Sequence, residues 1–160
     1  MPGRDDVKPK DEKTFFSIRR FEAVDIGHVL EIERDAFPKS AYSREVLLTY
    51  ARMLPDTFMV AELGHKIAGY AIYESSGHVL SMAVKTAYRK KGLGTALLTH
   101  IRERAEGRVW LEVRSKNVSA MAFYRKAGME VTGRVPRYYG DDDALIMAVG
   151  QCSETNSPDL

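Results

Sequence analysis

The stretch YRKKGLGTALL, Tyr88 to Leu98, sets three cations, Arg89, Lys90 and Lys91, directly ahead of Gly92 and Gly94. An apolar series at helical spacing follows, with Leu93, Leu97, Ile101 and Ala105 four apart. The first N–H groups of a helix have no partner inside it and carry partial positive charge. Glycine lets the backbone come close to a ligand. A turn of this composition suits a phosphate, and three whole charges around it suit a pyrophosphate better than a carboxylate. Two common phosphate motifs do not fit: G-x-G-x-x-G meets Leu97 in place of its third glycine, and no G-x-x-x-x-G-K-[ST] string exists. On spacing alone, a basic loop at a helix start with no ligand is the plain alternative.

The elements around this turn must bring it to a site. The run HVLSMAV ahead of it reads as a strand, and Gly107 closes the helix after it. TFFSIRR (14–20) reads as a first strand. Asp25 is placed to cap a helix carrying Ile26, Val29, Leu30, Ile32 and Phe37, which Pro38 ends. Ser43 opens a second helix. TFMVAEL, KIAGYAIYE and HVLSMAV, separated by Gly64-His65 and Ser76-Gly77, predict an antiparallel meander. VWLEV (109–113) predicts a strand, Asn117 to Ala127 a helix, and MEVTGRV and ALIMAV two last strands. The fold class is α/β: one mixed sheet with a central parallel crossover, flanked by about four helices.

The chain has 160 residues, which fits one domain able to bury roughly 70% of its unfolded surface. Residues 1–13 read as a charged arm, 14–149 as the domain and 150–160 as a polar tail. A net charge of +2 is too small for a nucleic-acid or membrane-surface protein. One cysteine, Cys152, allows neither an internal disulfide nor a cysteine zinc cluster. With no apolar leader and no run near ~20 apolar residues, the expected location is the cytoplasm.

Arg89-Lys90-Lys91-Gly92-Leu93-Gly94 resembles the R-x-x-G-x-G acetyl-CoA motif of the GNAT acetyltransferase superfamily, again between a strand and a helix. LEVRSKNVSAMAFYRKAGM (111–129), RYYGDDDALIMAV (137–149) and AFPKSAY (36–42) are similar to segments of N-terminal amino-acid acetyltransferases. The likeness is to the bacterial RimI type, archaeal N-α-acetyltransferases and the eukaryotic NatA catalytic subunit. Several motifs in order, over about Thr14 to Val149, are more specific than one glycine turn. The resemblance implies acetyl-CoA as cosubstrate, with its pyrophosphate on Lys90 to Thr95 beside Arg89. It implies a pantetheine arm along Met82, Ala83 and Val84, and contact with Asn117, a residue equally suited to cap its helix.

Acetyl transfer to an amine needs a neutral amine, a polarised thioester oxygen and a proton for the leaving thiolate. An α-amine has a pKa near about 8 against about 10.4 for lysine, so a modest base acting through water suffices for an N-terminus. Trp110 and Glu112 share one face of VWLEV. Read alone, Glu112 is a polar residue on a half-wet strand; by resemblance it is the catalytic glutamate and general base. Tyr124 lies on a stripe with Ala120 and Ala127 and reads alone as a core tyrosine. By resemblance it is the general acid, with backbone N–H groups near Val84 polarising the carbonyl. His78 opens the strand that leads to the turn; in some archaeal relatives a histidine at that place lies near the glutamate. Its roles by that likeness are to order water, to assist deprotonation or to share a metal; no metal is predicted.

Phe37, Pro38, Lys39 and Tyr42 match the family's first peptide-facing loop, and Tyr138 and Tyr139 the facing one. NatA-type subunits carry Glu where this chain has Lys39, which changes the charge near the first peptide residues. Asp141 to Asp143 reads as a solvated turn. The implied partners are protein or peptide N-termini, with the ribosome or ribosomal proteins among the candidates. Two rivals share these residues: an acetyltransferase for lysine side chains or small amines, and a non-catalytic acyl-CoA-binding module. The sequence leaves open the oligomeric state and any auxiliary subunit.

Overall fold

Alternation along two strands decides how the molecule is layered. The structure, a computed structural model, describes residues 16–150. In β2 (Phe58–Leu63) and β3 (Lys66–Tyr73), Phe58, Val60, Tyr70 and Ile72 face one side, and Met59, Ala61, Ala71 and Tyr73 the other. Both sets are buried, so this sheet is covered on both faces. With β1 (Phe16–Arg20) and β4 (Val79–Val84) it forms an antiparallel sheet in the order β1-β2-β3-β4. Thr14 and Phe15, expected in β1, and the proposed arm lie outside the described residues, as does the tail beyond Gly150.

The first face is covered by α1 (Ile26–Ala36) and α2 (Arg44–Met53) through Ile26, Val29, Leu30, Ile32 and Leu47. Ser43 caps α2 by accepting from the Val46 N–H at 3.2 Å. Asp25 does not cap α1 in the expected way. It is the third residue of a 3-10 turn, Ala23–Asp25, and its carboxylate accepts from the Glu22 N–H and from Arg19 instead. The arginine fork offers a charge-assisted, two-point partner that the open helix N–H groups do not match.

The second face packs on α3 (Leu93–Arg104) and a second sheet. Leu93, Leu97 and Ile101 are essentially out of water, each burial contributing roughly 1.5–3 kcal/mol. The second sheet has the order β5-β7-β6, from β5 (Val109–Arg114), β6 (Glu130–Val135) and β7 (Ala144–Val149), with α4 (Val118–Lys126) between β5 and β6. The chain order and the four helices are those expected. The single mixed sheet is resolved into two antiparallel sheets, and the parallel crossover survives as one bridge, His78 to Trp110. The reason is local. Pairing passes from Ile72–Ser81 to Tyr73–Val79, leaving Leu80 as an extra residue on β4. A bulge bends its strand, and here β4 leaves β5 directly after the bridge. Among the described residues, the outer edge of β4 therefore lacks a strand partner beyond that point.

Candidate active site

The bridge between the sheets carries the first pair of site residues. His78 Nε2 lies 2.8 Å and 3.1 Å from the two Glu112 carboxylate oxygens. Its ring stacks on Trp110 with centroids 3.7 Å apart and planes 4° apart. Trp110 and Glu112 project on the same side of β5, as alternation requires, so one strand supplies both the stacking surface and the carboxylate. On its other side Nδ1 is 3.8 Å from Glu74. The tautomer that bonds Glu112 has its hydrogen on Nε2. Both side chains keep partial access to solvent, 17% for His78 and 19% for Glu112.

Tyr124, in the last turn of α4, packs edge-on to Phe123 with centroids 5.3 Å apart. Burial, and secondarily Tyr139, pushes its phenol up to about 12. Burial also pushes Tyr139 up to about 12, with Tyr138 and Glu112 adding to the rise. Arg114 shares the Glu112 face of β5 and reaches Tyr139, and Tyr139 in turn raises Tyr124 and is raised by Glu112, so Glu112, Tyr139 and Tyr124 stand near one another. Arg114 holds its guanidinium 4.3 Å over the Tyr139 ring, a cation–π contact that fixes the ring's outer face.

Gly92 has φ +86 and precedes α3, whose first helical bond runs from Ala96 N–H to Gly92 O. The N–H groups of Leu93, Gly94 and Thr95 are left at the open helix end. Gly94 fits tightly for a separate reason: a Cβ there would lie 2.9 Å from the Phe123 ring. Among the described residues neither Lys90 nor Lys91 is in an ion pair, whereas Arg89 donates its Nε to Val84 O at 3.1 Å. Met82 and Val84 on β4 lean toward α3, and Ala83 is buried on the α1 side. Asn117 caps α4, accepting from the Ala120 N–H at 3.2 Å.

Two loops flank the other side. Phe37 and Tyr42 pack against the α1–α2 cluster, while Pro38 and Lys39 are exposed. Burial raises the Tyr42 phenol well above its ordinary value, with Tyr50, Glu33 and Tyr138 adding to it. Tyr138 is 54% exposed and meets Tyr139 edge-on at 4.9 Å.

The acetyltransferase (GNAT) family profile matches residues 26–129. The chain belongs to the GNAT acetyltransferase family. An N-alpha-acetyltransferase of Sulfurisphaera tokodaii is 29% identical over 83% of this chain and 92% of its own length. The ribosomal protein bS18-alanine N-acetyltransferase of Escherichia coli is 31% identical over 83% of this chain and 96% of its own. The crystal structure of Ard1 from Thermoplasma volcanium superposes with a TM-score of 0.74 at 30% identity, covering 85% of this chain and 98% of that one.

Membership makes acetyl-CoA the cosubstrate of this acetyltransferase. The residues present suit it: open N–H groups at the start of α3 and, among the described residues, two lysines without ion pairs beside them and an unpaired strand edge on β4. Three residues of this GNAT enzyme escaped the sequence reading. Glu33, only 1% exposed on α1, accepts from the Tyr70 hydroxyl and, at 2.9 Å, from the Tyr42 N–H; Tyr70 also bonds Ser81 at 2.8 Å. Glu74 flanks His78 four residues before it, a spacing that no helix made meaningful. Asp142 is 7% exposed and not solvated, although Asp141 beside it is.

Proposed function

We propose that this enzyme moves the acetyl group of acetyl-CoA to the free α-amine of a peptide or protein N-terminus. The observation that carries the reading is the Glu112–His78 pair at the parting of β4 and β5, with tyrosines of two facing loops on its approach. The relatives named for α-amine and bS18-alanine acetylation support it, and proteins of the ribosome are therefore candidate substrates.

Acetyl-CoA supplies an acetyl thioester when bound, its pyrophosphate on the N–H groups of Leu93 to Thr95 among Arg89, Lys90 and Lys91. The open edge of β4 along Met82, Ala83 and Val84 has the backbone groups to pair with an extended pantetheine and to polarise a carbonyl, and Asn117 borders the same channel. Glu112 takes a proton from the incoming amine through water, and His78 orients the carboxylate and shares the proton. Tyr124 keeps its own proton through the neutral range and delivers it to the leaving side. A phenol near about 12 is a reluctant donor, so it acts as the thiolate forms rather than before. Phe37, Pro38, Lys39, Tyr42, Tyr138 and Tyr139 line the peptide's path. An α-amine near pKa about 8 is already partly neutral at pH 7, which one carboxylate can complete; lysine at about 10.4 demands far more.

The test is acetylation of peptides with free or blocked α-amines by wild type, Glu112→Gln and Tyr124→Phe, with the acetyl group located by mass spectrometry. Acetyl on free α-amines only, with both variants impaired, is the expected result. Acetyl on lysine side chains or small amines alone, or coenzyme binding with no turnover, overturns the reading.

A further inference from the structure

We infer that Asp142 is a positioning residue that sets Tyr139 against Glu112 and Tyr124 by tying the 137–143 loop to the start of α4. The sequence offers three aspartates in a row, and they divide sharply. Asp141 is exposed and reaches out to Arg114 at 2.9 Å. Asp143 binds Arg134 and the Arg137 N–H. Asp142 turns inward. Its Oδ1 accepts from the Ser115 hydroxyl at 2.5 Å and the Asp143 N–H at 2.8 Å, and its Oδ2 accepts from the Lys116 N–H at 3.1 Å. The Ser115 hydroxyl in the first place holds the carboxyl below its usual range, so it remains an acceptor.

The partners of Asp142 explain why this matters. Ser115 and Lys116 form the turn that leaves β5, the strand of Glu112, and enters α4, the helix of Tyr124. The backbone carbonyl of Asp142 accepts from the Tyr139 N–H at 3.1 Å. One residue thus bonds, through its two ends, the segments that carry three site side chains. The Tyr139 loop has other ties, Arg114 to Tyr139 and Asp141, Asp143 to Arg134 and the Arg137 N–H, and the Ser115 N–H to the Asp143 carbonyl at 2.9 Å, but these do not bond the Tyr139 N–H. The loop lies beyond the β6–β7 ladder, Arg137 sits in the left-handed region at φ +53, and Tyr138 is more than half exposed. A strained loop keeps one conformation only where its surroundings over-determine it.

The inference rests on the reading of this loop as the acceptor side, so its test has an arm that needs no acceptor. Hydrogen exchange of the Tyr139 amide is measured in wild type, Asp142→Asn and Asp142→Ala. Kinetics on an α-amine peptide are then measured for these, for Tyr139→Ala and for the double variant Asp142→Ala/Tyr139→Ala. Exchange at Tyr139 is expected to rise at least tenfold in Asp142→Ala while core amides of β3 stay protected, with Asp142→Asn between. The peptide KM is expected to rise five- to twentyfold with the acetyl-CoA KM within twofold, and the double variant to be no worse than the poorer single one. Unchanged Tyr139 exchange, additive kinetic losses, or equal rises in both KM values overturn the inference. Should wild type acetylate no α-amine, the functional reading fails, and the exchange arm still decides whether Asp142 holds the loop.

Discussion

Replacing Tyr70 by phenylalanine removes one hydroxyl from the centre of the molecule and leaves a carboxylate short of a donor. Tyr70 is fully buried and Glu33 is 1% exposed, so water cannot replace the lost bond. The phenol donates to Glu33, and it pairs with Ser81 at 2.8 Å. A bond to a charged group is worth roughly 1.5–3 kcal/mol and a neutral one about 1 kcal/mol, so the loss sums to roughly 2.5–4 kcal/mol. Against a typical total of about 5–15 kcal/mol this is large, and at about 2–4 °C per kcal/mol it lowers Tm by roughly 5–16 °C. Denaturant unfolding of wild type, Tyr70→Phe, Glu33→Gln and the double variant measures it. The double variant should cost at least about 1 kcal/mol less than the two single losses added, because the carboxylate left without its donor is then gone. The single variant Tyr70→Phe also leaves Glu33 holding the Tyr42 N–H, so the peptide KM should change little in the folded protein. A loss under about 0.5 kcal/mol, or additive losses, would refute the reasoning.

Glu112→Gln should lower kcat by roughly 10²–10⁴-fold with little change in the acetyl-CoA KM. His78→Ala should lower it less, and the pair should fall no further than Glu112→Gln, by steady-state kinetics. The raised phenols of Tyr124 and Tyr139 favour the folded state fully below about pH 10, and that contribution is lost as pH rises from about 10 to about 12. Alkaline unfolding followed with tyrosinate absorbance should shift to lower pH in neither Tyr124→Phe nor Tyr139→Phe. Gly77→Ala should cost roughly 2–6 kcal/mol, since its Cβ would lie 2.3 Å from the Arg108 carbonyl at φ +94, and unfolding midpoints report it. Lys39→Glu should turn the enzyme against acidic N-termini in a comparison of Ser-, Ala-, Met- and Glu-starting peptides; an unchanged ranking would count against any part for Lys39 in selectivity.

Local pattern carried much of this molecule. The strands and helices follow from alternation and from four-residue spacing, and the Ser43 and Asn117 caps from residue type. Trp110 and Glu112 share a face because a strand has period two. What pattern could not convey is long-range pairing. His78 meets Glu112 across 34 residues, Tyr70 meets Glu33 across 37, and Ser115 meets Asp142 across 27. Asp25 went the same way: its type fits a cap, but Arg19 competes for it and wins with two charged bonds. The splitting of the sheet hangs on one extra residue, Leu80, in a strand whose composition is that of an unbroken one.

The buried carboxylates have a common use. Asp25, Glu33 and Asp142 are 3%, 1% and 7% exposed, and each accepts from a backbone N–H in a segment with no ladder of its own: Glu22, Tyr42 and Lys116. Such segments have no ladder to satisfy their N–H groups, so each needs another acceptor. A carboxylate withdrawn from water is unfavourable unless its lone pairs are filled, and so it binds those N–H groups in one arrangement only. The same logic separates two kinds of damage. Truncating Leu97 in the core leaves a cavity and lowers stability everywhere, by roughly 2–5 kcal/mol. Truncating a loop-side carboxylate frees one segment while the core amides remain protected. Exchange mapped residue by residue tells the two apart, and a uniform loss of protection on removing Asp142 would place it with the core.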